Sequence, residues 1–176
     1  MPLPVAILIA RGKPGHERAP LYSGASKPSR NASRFSVPNK PFTWTIRVYY
    51  EDTDTCGIVY YANYLKFFER ARTEWLRSVG FEQQKMADEL GLRFVIASVE
   101  CEFKLPARLD DVIELDVRVA RLGSASMVFE QSARRAGAVL AAARVRVGCI
   151  ETKTFIPAPL PALLRAAVEQ LPQEHA

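Results

Sequence analysis

The chain has 176 residues, 48% of them apolar and 24% charged, enough for one domain with a packed core and short for two. Its formal net charge of +5 is unevenly placed, because residues 1–40 hold seven basic side chains against the single acid Glu17, and the remainder holds 17 basic and 18 acidic. The near-neutral body gives no electrostatic case for nucleic acid, and three scattered cysteines, Cys56, Cys101 and Cys149, exclude a disulfide framework or a CxxC metal site and make a reducing, cytoplasmic setting the expectation.

Residues 1–40 are rich in Pro, Gly, Ser and basic residues and lack periodicity, which predicts a disordered basic extension. Its apolar opening, Leu3 to Ala10, is too short to span a bilayer. Basic residues follow that run instead of preceding it, the reverse of a signal peptide, so no integral membrane segment is expected.

From Pro41 the pattern becomes organised. Phe42 to Tyr50 is rich in β-branched and aromatic residues and reads as a first strand. Asn63 to Val79 reads as a helix, with Tyr64, Phe67, Phe68, Ala71, Trp75 and Val79 on one face and Gly80 as its stop. Asn63 suits an N-cap. A second helix is predicted over Phe81 to Leu90, closed by Gly91.

Four strand-like runs follow. In Leu92 to Leu105 the positions Val95, Ala97, Val99, Cys101, Phe103 and Leu105 alternate with polar residues. Val112 to Ala120 alternates in the same way, and Ala125 to Arg135 and Ala138 to Ile150 flank a predicted hairpin turn at Ala136 and Gly137. Pro157 to Leu171 reads as a short helix or tail. One strand, a long helix and a run of antiparallel strands give an α+β fold in a domain spanning residues 41–156, with a tail over 157–176.

Chemically, the domain is notable for what it lacks. The two histidines, His16 and His175, lie outside residues 41–156, which removes Ser-His-Asp and Cys-His triads and His-rich zinc sites from contention. GxGxxG, P-loop and GxSxG signatures are also missing. Carboxylates, tyrosines and backbone remain. Residues 49–75, YYEDTDTCGIVYYANYLKFFERARTEW, place a carboxylate-rich loop before the long helix, whose unpaired N–H groups suit an oxyanion. Cys56 has no histidine to activate it as a nucleophile.

That stretch resembles the signature of hotdog-fold acyl-CoA thioesterases of the tol-pal-associated and 4-hydroxybenzoyl-CoA branches, more loosely from Phe42 to Phe155. The resemblance implies a long central helix on a curved antiparallel sheet of about five strands, assembled as a homodimer or homotetramer. It implies hydrolysis of an acyl-CoA to a carboxylic acid and free CoA, with no cofactor because CoA belongs to the substrate. Asp54 would be nucleophile or general base, and the backbone N–H of Tyr61 the oxyanion donor. Tyr50, Gly57 and Asn63 would line the substrate site. A basic rim for the CoA phosphates would draw on Lys104, Arg108, Arg134, Arg135, Arg144 or Arg146, with Lys104 and Arg108 reaching a neighbouring subunit's cleft. Tyr61 stands where the tol-pal-associated branch usually has histidine, and the other branch has tyrosine there. Acyl carrier protein is a further possible partner. The alternative is a non-catalytic acyl-binding or envelope-associated interaction module.

Overall fold

A computed structural model describes residues 42–170; the predicted basic extension over 1–40, both histidines and the last six residues lie outside the described residues. Five antiparallel strands form one sheet: β1 (Phe42–Arg47), β2 (Leu92–Phe103), β3 (Val112–Leu122), β4 (Ser126–Arg135) and β5 (Ala138–Glu151). Their spatial order is β1-β3-β4-β5-β2, which leaves β1 and β2 as edges. Helix α1 (Asn63–Ser78) lies on β1, β3 and β4, α2 (Gln83–Leu90) packs on β2, and α3 (Ala162–Glu169) follows Pro161. The expected α+β arrangement is present. Among the described residues no helix is long and apolar enough to cross a membrane.

The alternation read in the sequence produces the core directly. Ile113, Leu115 and Val117 of β3, Met127, Phe129 and Ala133 of β4, and Ala141, Val145, Val147 and Cys149 of β5 point toward α1 and are buried. Phe67, Phe68, Ala71 and Trp75 meet them from α1, and the Trp75 and Phe129 rings pack edge to face at 5.0 Å. The opposite sheet face is polar. There Asp116 accepts from Thr43, Ser132 and Arg134, and Glu130 is shared by Arg118 and Arg144.

Three expectations need correction. The first strand ends at Arg47 instead of Tyr50, because the Asp52 carboxylate accepts the Tyr49 N–H at 2.9 Å and winds Tyr50–Asp52 into a 3-10 turn. In β2 the register shifts between Ile96 and Ser98, so Ala97 is an extra residue. The bulge inverts the alternation before it: Phe94 and Ile96 oppose the inward residues Cys149 and Val147, and Val95 opposes Gly148 on the outer face. Asn63 does not cap α1, since Ala62 holds that position without any side-chain cap.

Turn chemistry elsewhere follows the sequence. Ala136 and Gly137 both take positive φ, 48° and 81°, the geometry of a two-residue hairpin turn, and Gly91 closes α2 at φ 64°.

Candidate active site

The loop before α1 is a closed hairpin. Thr53 and Val59 form an isolated antiparallel bridge, flanked by Asp54 N–H donating to the Ile58 carbonyl and Tyr60 N–H to the Asp52 carbonyl, both at 2.9 Å. Gly57, at φ 70°, turns the tip and donates to the Asp54 carbonyl at 2.9 Å. Asp54 Oδ1 accepts the Cys56 N–H at 2.8 Å, an Asx turn that fixes the carboxylate rotamer. Its Oδ2 meets no donor among the described residues, so one carboxylate oxygen is held and the other is available.

The helix start is equally particular. Asn63, Tyr64 and Leu65 N–H groups bond three residues back, to the carbonyls of Tyr60, Tyr61 and Ala62. That leaves the N–H groups of Tyr61 and Ala62 with no acceptor among the described residues, at the positive end of a 16-residue helix with no capping side chain. Buried Asn63 spends its Nδ2 on the Asp52 carbonyl at 3.0 Å and so ties α1 to the Asp54 hairpin. The amide thereby locks two pieces of backbone together, and the cap expected of Asn63 is not made.

A second loop, Lys104 to Asp111, closes over this region from the same chain. Val59 N–H donates to the Ala107 carbonyl at 2.9 Å, and Arg108 N–H donates to Asp111 Oδ2 at 2.7 Å. Lys104 Nζ is 3.5 Å from Glu102, and the exposed Arg108 guanidinium engages no acceptor among the described residues. The Ala107 contact thus brings the loop that carries Arg108 against the chain's own hairpin. Arg134 and Arg144 instead form ion pairs on the sheet face away from α1, and Arg146 shares that face. Arg135 pairs with Asp111 at the sheet end.

Aromatic rings line the space between the two loops. Tyr61, 38% exposed, lies 4.7 Å from Tyr60 and 5.9 Å from Phe103, itself 49% exposed. Tyr64 packs beneath Phe103 at 5.7 Å. Burial pushes the Tyr64 phenol up to about 12; the nearby Ala107 backbone pulls it the other way without a well-formed hydrogen bond. Tyr60 is raised by its hydroxyl interaction with Tyr61 and, more weakly, by the negative charge of Asp54. Tyr50 is strongly exposed at the mouth of the hairpin. Tyr60 stands opposite Asp52 across the hairpin, a placement that only the bridge reveals.

A separate cleft of about 570 Å³ runs between α1 and strands β5 and β2, walled by Leu65, Phe68, Ile96, Val99 and Val145 and by none of the hairpin residues. It pairs no uncommitted carboxylate oxygen with backbone N–H groups that lack an acceptor among the described residues, as the hairpin does. Among the described residues no group of three or more His, Cys, Asp or Glu could hold a metal ion.

Comparison with known proteins identifies the family. The thioesterase superfamily model matches residues 57–142. Acyl-CoA thioesterase YbgC of Haemophilus influenzae is 40% identical over 130 residues, 74% of this chain and 96% of that protein. Acyl-CoA thioester hydrolase YbgC of Escherichia coli O157:H7 is 41% identical over 130 residues, 73% of this chain and 96% of that protein. The crystal structure of a probable thioesterase from Bartonella henselae superposes with a TM-score of 0.67 and 35% identity, over 69% of this chain and 100% of that one. Fold and relatives agree: the chain belongs to the thioesterase superfamily and is a hotdog-fold thioester hydrolase.

Proposed function

We propose that this acyl-CoA thioesterase works through Asp54, with the Tyr61 N–H as oxyanion donor. The observation that carries the reading is the pairing of a carboxylate with one oxygen uncommitted and a helix start whose first N–H groups have no acceptor among the described residues. In one route Asp54 attacks the thioester carbonyl, the C–S bond breaks, CoA leaves as thiolate and water hydrolyses the resulting anhydride. In the other, Asp54 takes a proton from water as it attacks the carbonyl, and collapse of the tetrahedral intermediate breaks the C–S bond and releases CoA as thiolate. Either way negative charge develops on the carbonyl oxygen, and a donor fixed in advance at the positive helix end stabilises it without reorganisation.

Gly57 has no atom within 4 Å of where a Cβ would stand, so the hairpin tip leaves open space for the thioester. Lys104 and Arg108 are assigned to the CoA phosphates, and Tyr50 to the mouth of the site. Asn63 belongs to the support of the site, given its buried amide. Acyl carrier protein is a second possible acyl donor.

Assembly completes the reading. The edge strand β2 exposes Ile96, Val99 and Phe103 beside the open cleft along α1, an apolar strip with unpaired backbone that a second copy would cover. A homodimer, or a dimer of such dimers, is the expected unit. The free thiols Cys56, Cys101 and Cys149 fit a reducing, cytoplasmic setting, and an association with the tol-pal system belongs to the same proposal. The catalytic domain is taken as residues 41–156, with residues 1–40 as an extension outside it.

Free-thiol release from short, long and aromatic acyl-CoAs, followed across a protein dilution series with sedimentation alongside, tests the reading. Hydrolysis of at least one class, falling as the assembly dissociates, is expected. Tight acyl-CoA binding without thiol release would favour an acyl-binding module, and a fully active monomer would remove the shared assembly. Multiple turnover in ¹⁸O-water separates the routes, because only the anhydride route can leave label in the Asp54 carboxylate.

A further inference from the structure

Asp52 has no part in the mechanism above, yet it is buried, 7% exposed, between the two proposed catalytic elements. Its carboxylate pairs with no Lys or Arg among the described residues. A carboxylate buried without a cation burdens folding unless its hydrogen bonds offset the cost, and the bonds of this residue all go to pieces of the site.

On the upstream side, Asp52 Oδ2 accepts the Tyr49 N–H at 2.9 Å and the Asp52 N–H donates to the Tyr49 carbonyl at 3.0 Å, a reciprocal pair that closes the turn after β1. Tyr49 is itself attached to a fixed point. Val48 donates its N–H to the Asp111 carbonyl at 2.9 Å and accepts the Asp110 N–H at 3.1 Å. On the downstream side, the Asp52 carbonyl takes two donors, the Tyr60 N–H at 2.9 Å and Asn63 Nδ2 at 3.0 Å, which fills both of its lone pairs. The first donor is on the strand opposite Asp54 in the hairpin. The second is the first residue of α1, two positions after the Tyr61 N–H. The end of β1, the hairpin and the helix start are therefore joined at one residue.

We propose that Asp52 is a positioning residue for thioester hydrolysis: its carboxylate locks the turn after β1, so that its own carbonyl holds the Asp54 hairpin and the start of α1 in one register. The inference rests on the reading of Asp54 and the Tyr61 N–H as the catalytic pair. The carboxylate serves as an acceptor and not as an acid or base, because it is turned onto the Tyr49 N–H. Without it the turn keeps only its backbone bonds, residue 52 gains freedom, and the carboxylate and the oxyanion donor lose their common anchor. Misalignment of that kind is felt in the transition state more than in substrate binding.

The test uses the full chain, with urea unfolding to verify that each variant is folded under assay conditions. Asp52→Ala removes the acceptor, and its kcat is expected to fall about tenfold with KM within about twofold. Asp52→Asn keeps an oxygen for the Tyr49 N–H and is expected to recover kcat to within about threefold of wild type, whereas Asp52→Ser, too short to reach back, behaves as Asp52→Ala and replaces it should alanine fail to fold. Asn63→Ala frees the same carbonyl from the other side, so adding it to Asp52→Ala lowers kcat little further. Unchanged kcat in both Asp52→Ala and Asp52→Ser, an asparagine variant as poor as alanine, or multiplied losses in the double variant would each overturn the proposal.

A second readout does not depend on turnover. With ¹⁵N-labelled asparagine, the side-chain amide signals missing from Asn63→Ala report the contact with the Asp52 carbonyl. Their exchange with water is expected to quicken about tenfold in Asp52→Ala and to stay near the wild-type rate in Asp52→Asn, as for a local opening of that contact. Exchange unmoved in Asp52→Ala would overturn the proposal even where kcat has changed. Failure of the underlying reading looks different: Asp54→Asn then turns over normally, whatever Asp52 does.

Discussion

Tyr64→Phe removes a single oxygen from the contact between α1 and the 104–111 loop, and the structure sets the sign of its effect. The ring is 3% exposed and its hydroxyl makes no well-formed hydrogen bond, the Ala107 backbone being near but poorly placed. An unpaired buried hydroxyl costs roughly 1–3 kcal/mol of desolvation. With part of that returned by Ala107, the variant is expected to be more stable by about 0.5–1 kcal/mol, a rise in Tm of about 3 °C for a domain of this size. The alkaline limb gives an independent check. The folded phenol titrates at about 12, above the ordinary value near 10, so the unfolded chain loses this proton first. Between those values the folded state binds more protons, and stability falls as pH rises; below about 10 this contribution is constant. Tyr64→Phe lacks it and loses stability less steeply across that window. Urea unfolding followed by tryptophan fluorescence, near neutral pH and near pH 11, measures both. Destabilisation by about 1 kcal/mol or more at neutral pH, or parallel alkaline slopes, would refute the reasoning by showing that the hydroxyl has a partner.

Two further substitutions probe the supports of the site. Asn63→Ala removes the bond to the Asp52 carbonyl and is expected to cost about 1 kcal/mol in urea unfolding and about tenfold in kcat, with Asn63→Asp worse because a carboxylate would face a carbonyl. Gln131→Leu strips the Arg72 guanidinium of its acceptor at 2.6 Å and the Phe68 carbonyl of its donor at 3.0 Å. Burial already lowers the Arg72 pKa, so a loss of about 2 kcal/mol by chemical unfolding is expected, with KM little changed.

Local periodicity made most of the architecture legible. The stripe from Tyr64 to Trp75 and the alternation in β3 and β5 each report a single buried face, and burial is what the core rewards. Legibility failed where one residue changed the parity or a side chain took over the backbone. The bulge at Ala97 turned Val95 outward and Phe94 inward, and no residue type there announces it. Capture of the Tyr49 N–H by Asp52 ended β1 three residues early, a contact between side chain and backbone that a strand-like composition conceals. The site divides in the same way. Asp54, Gly57 and Tyr61 were marked through the resemblance carried by residues 49–75, whereas the bond by which Asn63 ties α1 to the hairpin depends on which residues face each other in the fold. Arg134 and Arg144 looked equivalent to Arg108 as basic residues; only the pairing of the strands puts them across the sheet, joined to Asp116 and Glu130.

The most direct measurement is thiol release from acyl-CoA by Asp54→Asn beside the wild type, with thermal unfolding and sedimentation to verify that fold and assembly are kept. Asparagine preserves the shape of the hairpin and its acceptor for the Cys56 N–H but can neither attack the thioester nor take a proton from water. The account predicts a fall in kcat of about 10²-fold or more with an unchanged Tm. Turnover within about threefold of wild type in a folded, assembled Asp54→Asn protein would contradict it.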